Sequence, residues 1–253
     1  MTHGVSTRHG GVSDGDFRSL NMGFATPDSE ADVAENRRRF ASTLGVGEDD
    51  IVAARLTHGN EVAVFRDGAA SHWPRKREPV RPDSQRRNWV FHTDGVVSDV
   101  PGLYFLLTAA DCVPLLFLDR RQAIVGAAHA GWRGTASGIA GNVVRAMHRE
   151  FGTDPEDVVA GIGPSIGPCC YGVGQDVVDT FHRHGFVPEL TPVDGESRLD
   201  LWTTNRLQLM DAGLLAGSIE TMGLCTSCHA ADFFSHRAAR GKSGRMAFAI
   251  GLG

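Results

Sequence analysis

Two residues with reactive side chains, Cys112 and His129, border a pair of apolar runs. The runs occupy residues 113–119 and 123–129, and a short polar turn separates them. Apolar runs joined in this way predict a β-hairpin. A cysteine and a histidine that meet at its open end could share one metal ion, or they could act as a nucleophile and its base.

The register of this hairpin decides whether the two side chains meet. A loop of even length pairs Asp119 with Gln122 and Cys112 with His129, and directly opposed residues have Cβ atoms roughly 4.5–5.5 Å apart. A loop of odd length would turn Cys112 and His129 to opposite faces of the sheet. We therefore predict that the pair converges if the loop is even.

A metal site needs a third ligand, and His58 is the best candidate. It lies between two short strand-like runs within residues 51–66, beside Gly59, which allows close backbone approach. Three protein ligands leave one position of a zinc ion open, the pattern of catalytic sites, and zinc lowers the pKa of a bound water to about 7. Asp111 and Asp94 stand near strand ends, where they could orient ligands or transfer protons.

The segment after His129 combines a strand end with a predicted helix start. A helix is predicted over residues 135–151, because apolar residues recur there at every fourth position. These residues are Ile139, Val143, Met147 and Phe151. Free backbone N–H groups at a helix start attract anions, and Arg133 adds positive charge. An anion site beside the metal ligand follows as an expectation.

The rest of the pattern predicts an α/β fold in the broad sense, an α+β mixed sheet with flanking helices. Further predicted elements are helices near 28–44, 173–184 and 203–212 and apolar strands near 103–108 and 246–252. Residues 68–90 differ from these elements because they are basic, contain prolines and lack periodicity. They predict a surface loop inserted into the fold.

Composition narrows the classes of function. The formal net charge of −5 argues against nucleic acid as a partner, because a protein that binds phosphate backbones usually carries a basic face. No stretch approaches the ~20 apolar residues of a membrane span, and no secretory signal is visible. We therefore expect a cytoplasmic protein, in which the five cysteines are metal ligands, catalytic groups or buried thiols rather than disulfides.

Several motifs, in order along nearly the whole chain, match those of one known family. They are Ser6–Ser13, Ser19–Gly23, Asn36–Arg37, His58–Gly59, Thr108–Pro114, His129–Gly134, Gly161–Tyr171 and Cys225–Arg245. The most specific are Asp-Cys-Val-Pro at 111–114 and His-Ala-Gly-Trp-Arg-Gly at 129–134. On these motifs the sequence resembles the YfiH family, also called the polyphenol-oxidase or laccase-domain family, which is related to the peptidoglycan-editing factor.

The resemblance implies a single compact YfiH-like domain over residues 1–253, with His58, Cys112 and His129 as the ligands of one zinc ion. It also implies a purine nucleoside phosphorylase that cleaves adenosine, inosine, guanosine and methylthioadenosine with phosphate and deaminates adenosine. The partners would be a small-molecule nucleoside and phosphate, with no nucleic acid and no membrane. We expect the chain to be a monomer or a homodimer.

Individual residues receive roles under this hypothesis. We expect chemistry from Cys112, His129 and Asp111. Substrate binding is expected from Arg8, Asn21, Asp94 and Arg133.

Two other enzymatic functions remain open at this stage. Cys112 and His129 could serve a cysteine or zinc hydrolase, and some bacterial members of the family edit UDP-muramoyl-serine precursors of peptidoglycan. Copper oxidation of polyphenols has also been ascribed to the family, which makes copper an alternative metal. A multicopper centre needs several His-x-His pairs, however, and the chain has one, at His182–His184.

A non-enzymatic reading rests on the remaining cysteines. Cys225–His229 spells a c-type haem attachment motif. Without a secretory signal, haem attachment is disfavoured. Together with Cys169 and Cys170, the two cysteines of this motif could form a structural site or a set of packed thiols.

Overall fold

The computed structural model describes residues 1–67, 89–193 and 196–253. The helices in these ranges are α1 (Glu30–Leu44), α2 (Trp132–Ala136), α3 (Ile139–Phe151), α4 (Gln175–Arg183) and α5 (Leu201–Asp211). The strands are β1 (Thr2–Val5), β2 (Ile51–Arg55), β3 (Val62–Phe65), β4 (Trp89–Phe91), β5 (Gly95–Ser98), β6 (Tyr104–Ala109), β7 (Val113–Asp119), β8 (Ile124–Ala130), β9 (Val158–Ile162), β10 (Gly172–Val173), β11 (Leu190–Val193), β12 (Glu196–Leu199), β13 (Ile219–Thr221) and β14 (Met246–Gly251).

Two larger sheets organise the strands. One has five strands in the order β1-β14-β6-β2-β4, and the other has six in the order β13-β9-β7-β8-β5-β3. Each sheet mixes parallel and antiparallel pairs; β2 runs parallel to β6, for example, and β14 runs antiparallel to it. A small third sheet joins β10, β12 and β11. The predicted mixed α/β fold is confirmed.

The two larger sheets face each other across a shared apolar core. On β6, Phe105 and Leu107 point into this core, and Val125 of β8 enters it from the six-stranded sheet. The intervening residue of β6, Leu106, points the other way and contacts Phe40 of α1 in a separate cluster. This alternation follows from the two-residue period of a strand. Helix α1 therefore covers the outer face of the five-stranded sheet.

Helix α3 covers the outer face of the six-stranded sheet. Its predicted apolar stripe is confirmed, because Ile139, Val143 and Met147 are fully buried in the core on that side. The predicted single helix over 135–151 is wrong, however. The chain forms α2 first and then breaks at Gly138, whose φ of 78° is left-handed, before α3 starts. The left-handed region suits glycine and interrupts a right-handed helix.

Helix α1 begins and ends where its sequence predicts. The Ser29 hydroxyl accepts a hydrogen bond from the Asp32 backbone N–H, and Gly45 ends the helix with a φ of 71°.

No helix among the described residues combines the length and the apolar character needed to cross a membrane.

Most of the predicted surface loop at 68–90, namely residues 68–88, lies outside the described residues. The end of that prediction is wrong, because Trp89 and Val90 belong to strand β4, which pairs with β2.

The β7–β8 hairpin forms, but with a different register from the predicted one. Asp119 pairs with Ile124 rather than Gln122, and Pro114 rather than Cys112 lies opposite His129. The loop therefore has four residues instead of two. An even loop preserves the parity of the pairing, so Cys112 lies diagonally across from His129 on the same face of the sheet.

Candidate metal centre

Three side chains from separate parts of the chain lie close together. His58 lies in the β2–β3 loop, Cys112 directly precedes β7, and His129 is near the end of β8. One ligand atom of each residue lies within 4.8 Å of the others. The rings of His58 and His129 meet edge to face, with centroids 4.9 Å apart. The structure thus brings together the three residues that the sequence singled out.

The loop geometry around the three side chains is unusual for residues with a Cβ atom. His58 has a φ of 60° and Asp111, beside Cys112, a φ of 84°. Left-handed backbone at non-glycine residues is uncommon and clusters at functional sites. A Cβ at Gly131 would lie 2.9 Å from Cys112 Sγ and 3.4 Å from the His58 ring. Glycine at position 131 therefore keeps the space between the side chains clear.

Asp94 fixes the positions of His58 and His129 through hydrogen bonds. Its Oδ1 accepts hydrogen bonds from the His58 backbone N–H and from His129 Nδ1, each at 3.0 Å. Its Oδ2 accepts from the Thr57 N–H and hydroxyl and from the Gly59 N–H, at 2.8–3.0 Å. Because a carboxylate only accepts, Nδ1 of His129 carries the proton and Nε2 is left as the ligand atom.

The predicted contact of Asp94 with substrate stays a prediction, and its observed contacts are with the protein itself. The residue is completely buried, and both of its carboxylate oxygens are committed to the His58 loop and His129. The sequence also predicted that Asp94 could orient metal ligands. Its hydrogen bonds to the His58 loop and to His129 place it in a position to do so.

Cys112, His129 and Asp94 form a charged chain. Burial raises the pKa of the Cys112 thiol, but the positive charge and hydrogen bonds of His129 and His58 outweigh it and bring the pKa to about 6. Burial lowers the pKa of His129, while Cys112 and Asp94 outweigh it and raise the pKa to about 9. Burial raises the pKa of Asp94, but His129 and the Gly59 N–H outweigh this effect and lower the pKa to about 2. A thiolate beside an imidazolium is favoured at neutral pH without a metal.

The donor set fits a metal ion. Two imidazoles and a thiolate are ligands that zinc and copper accept, and a carboxylate behind a ligating histidine is the usual support. His58 is exposed, Cys112 is partly buried and His129 is buried, so one side of the centre opens to solvent. The arrangement can therefore hold a cation and admit a small molecule to it.

A tyrosine and two arginines that sequence reasoning missed lie beside the centre. Burial, Cys112 and Asp111 raise the pKa of Tyr171 against the opposing charges of Arg237 and Arg133. Arg237 stacks on the Tyr171 ring at 5.0 Å. Tyr171 follows the two cysteines of a family motif, which is the signal that could have found it.

The second missed arginine, Arg245, is half-buried close to Cys112 and Asp111, and burial lowers its pKa. It closes the Cys225–Arg245 motif, so its position in that motif was the available signal. Arg133, Arg237 and Arg245 form a rim of three positively charged side chains beside the centre.

Two of the predicted site residues, Arg133 and Asp111, lie at or next to this rim. Arg133 is exposed on α2 and stacks on Trp132 at 4.1 Å. Asp111 is buried, and its carboxylate accepts hydrogen bonds from the Thr226 hydroxyl at 2.7 Å and the Arg237 backbone N–H at 2.6 Å. Asp111 thus fixes the segment that carries Arg237.

Arg8 lies in a different environment. Its guanidinium donates hydrogen bonds to the carbonyl oxygens of Arg18 and Ala230 and stacks on Phe234 at 4.7 Å. It lines a cavity of about 530 Å³ whose walls include none of the three candidate ligands. None of these contacts of Arg8 is with His58, Cys112 or His129.

Asn21 is completely buried. Its amide oxygen accepts hydrogen bonds from the backbone N–H groups of Gly23 and Arg245. Its amide nitrogen donates to the side chains of Thr26 and Asp28. Asn21 therefore belongs to the interior rather than to a substrate-binding surface.

The fold and the site define a mixed α/β protein with a His-Cys-His group that could hold a metal ion. Residues 2–253 match the family model described as multi-copper polyphenol oxidoreductase laccase. The chain belongs to this family, as the motifs predicted.

Related proteins agree with this assignment. The chain is 39% identical to the purine nucleoside phosphorylase YlmD of Geobacillus stearothermophilus, over 98% of this chain and 89% of that protein. It is 32% identical to the adenosine deaminase RL5 of an unknown prokaryotic organism, over 90% and 85% of the two chains. The crystal structure of the hypothetical protein YfiH from Bacillus licheniformis superposes with a TM-score of 0.88 at 41% identity, covering 99% of this chain and 92% of that one.

Proposed function

We propose that this protein is a zinc-dependent purine nucleoside phosphorylase that also deaminates adenosine and cleaves methylthioadenosine. The observation that carries the proposal is the convergence of His58, Cys112 and His129, backed by Asp94, beneath a rim of arginines. Relatives named purine nucleoside phosphorylase and adenosine deaminase support the same substrate class. Nucleoside and phosphate are the proposed partners, and the cytoplasm is the proposed location.

His58, Cys112 and His129 would hold the zinc ion. Bound there, zinc would supply a Lewis acid and lower the pKa of water at its open position. In the neutral imidazole of a metal ligand, Asp94 would fix the one proton of His129 on Nδ1, which leaves Nε2 as the ligand atom. Copper fits the same donors, and the family's name refers to it. The described residues, however, offer no His-rich second centre, since the other candidate cluster consists of four cysteines.

The arginines would bind the anionic substrate. Arg133 and Arg237 are exposed beside Tyr171, and guanidinium groups suit phosphate because they donate paired hydrogen bonds. Tyr171 keeps its proton at neutral pH, because its pKa is raised, and its hydroxyl can therefore donate a hydrogen bond to the nucleoside. Asp111 would act by positioning Arg237 through the backbone N–H that it accepts.

The test is a product analysis with purified, zinc-loaded protein. Adenosine with phosphate should yield adenine, inosine or hypoxanthine on chromatography. His129→Ala should abolish these products, whereas His182→Ala, an exposed histidine on α4, should retain them. Absence of product from the wild type, or equal turnover by His129→Ala, would refute the proposal.

A cysteine hydrolase is the second candidate, and the lowered pKa of Cys112 favours it. Cys112 would attack an amide or peptide-like bond, with His129 as the acid that protonates the leaving group. Peptidoglycan precursors of the UDP-muramoyl-serine type are the proposed substrates in this case. Metal analysis separates the candidates: activity that persists in metal-free protein and stops on alkylation of Cys112 would favour the hydrolase.

A further inference from the structure

A second group of potential ligands lies outside the centre described so far. Cys169 and Cys170 follow β9, and Cys225 and Cys228 follow β13. All four Sγ atoms lie within 4.8 Å of one another. Sγ of Cys228 is 3.5 Å from that of Cys169 and 3.4 Å from that of Cys170. Two loops distant in sequence thus place four thiols around one point.

The spacing suits a single tetrahedral ion. A zinc–sulfur distance of about 2.3 Å gives sulfur–sulfur distances of about 3.8 Å in a regular tetrahedron. The two distances from Cys228 Sγ are within about 0.4 Å of this value. The Cys-x-x-Cys spacing at 225–228 is common in zinc sites. Iron–sulfur clusters need their ligating sulfurs farther apart, because the irons and sulfides lie between them.

The backbone around Cys225 favours a thiolate. The Gly167 N–H points at Cys225 Sγ with a separation of 3.3 Å. Thiolates in a group of four would repel one another unless a cation neutralised them. The site therefore has both the donors and a reason to bind a cation.

We propose that Cys169, Cys170, Cys225 and Cys228 form a tetrathiolate site for one Zn²⁺ ion. Four protein ligands leave no position for substrate, so the site is structural. It is separate from the His-Cys-His centre, and it stands whether or not the proposed phosphorylase activity is found.

The zinc would clamp two loops that form the wall of the first centre. The loops already touch where the Ser165 N–H donates to the Leu224 carbonyl and the Thr226 N–H donates to the Ser165 carbonyl. Thr226 reaches Asp111, next to Cys112, through its hydroxyl, and the Ile166 N–H donates to the Asp111 carbonyl. Loss of the clamp would therefore loosen the support of Asp111.

The test counts zinc in variants of the full chain. Each protein is purified anaerobically, loaded with zinc, dialysed and analysed by inductively coupled plasma mass spectrometry. Wild type should retain one ion per site, two in all. Cys169→Ser/Cys228→Ser should retain one and melt at a lower temperature, because metal binding contributes to folding. Both substituted cysteines are exposed, so the change leaves no cavity. The matched loop control, Ser227→Ala, should retain both ions.

Cobalt substitution identifies the ligands independently. In the Cys112→Ser background, bound Co²⁺ should show the intense sulfur-to-metal charge transfer of a tetrathiolate, and adding the double substitution should abolish it. Equal zinc in wild type and the double variant would overturn the proposal. It would also be overturned by stoichiometric iron or copper on the four thiols, or by a disulfide among them in the anaerobically purified protein.

Discussion

Replacing Asp94 by asparagine tests the foundation of the metal centre. Both side chains have the same shape, but the amide puts an NH₂ group where the carboxylate has an acceptor. In one orientation this group faces the donors of His58 and His129; in the other it faces those of Thr57 and Gly59. Either choice breaks at least two hydrogen bonds at a completely buried position.

The size of the effect follows from the pKa of Asp94, which falls from 3.8 to about 2 in the folded protein. A difference of nearly two pH units, at about 1.4 kcal/mol each, corresponds to roughly 2–3 kcal/mol of folding free energy. Because the folded pKa is the lower one, this stabilisation is present above pH ~4, the unfolded value, and is lost as the pH falls through about 2. Asp94→Asn lacks it at every pH.

We therefore expect Asp94→Asn to lower the free energy of unfolding of metal-free protein by about 2–4 kcal/mol at pH 7. Urea denaturation measures this loss, and the gap to wild type should narrow toward pH 2. Zinc affinity, measured by competition with a chromogenic chelator, should fall by about 10–100-fold, because His129 loses its carboxylate partner.

Asp119→Asn is the matched control. Asp119 is also completely buried, and its Oδ1 accepts from the backbone N–H groups of Arg121 and Gln122. Its Oδ2 has no hydrogen-bond partner among the described residues, so an amide nitrogen there breaks no bond. The control should lose less than about 1 kcal/mol and bind zinc normally. Wild-type stability and zinc affinity in Asp94→Asn would refute the role given to Asp94.

Three further predictions test the surroundings of the centre. Gly131→Ala should weaken zinc binding at least about tenfold in chelator competition, because the new Cβ would lie 2.9 Å from Cys112 Sγ. The control Gly161→Ala should bind zinc normally, because a Cβ there meets no atom within 4 Å. In metal-free protein, the rate of Cys112 alkylation, measured by peptide mass spectrometry, should rise with pH around a midpoint near 6, because the thiolate is the reactive form. A midpoint near pH 9 would contradict the ion pair between Cys112 and His129. Arg237→Gln should raise the KM for phosphate about tenfold or more in a phosphorolysis assay, since it removes one charge-assisted contact, whereas Arg183→Gln on α4 should not; equal KM values would exclude Arg237 from phosphate binding.

Local chemistry in the sequence predicted much of the fold. Ser29 and Gly45 fixed the ends of α1, and the apolar stripe of α3 was visible in its periodicity. The α2–α3 break was missed because the apolar pattern, which begins at Ile139, does not mark it, and only the backbone shows the left-handed conformation of Gly138. The predicted register of the hairpin was wrong by two residues, but a shift of two leaves each side chain on its predicted face of the sheet.

Long-range contacts account for what the sequence did not predict about the site. The sequence showed Asp94 only as an acid near a strand end, because the fold alone brings the His58 backbone N–H and His129 Nδ1 to its Oδ1. Asn21 and Arg8 lie in matching motifs, yet their polar groups are satisfied inside the protein or by other loops. Motif membership alone does not distinguish a residue that binds substrate from one that holds a loop.

The connections that carry His58 and Cys112 have a consequence for the order of assembly. Each runs from the five-stranded sheet to the six-stranded sheet, since β2 and β6 belong to the first and β3 and β7 to the second. The two residues reach His129 when the sheets are docked against each other. Metal capture should therefore be a late event in folding, and the rate at which a refolding chain takes up zinc should follow sheet docking rather than the formation of single strands.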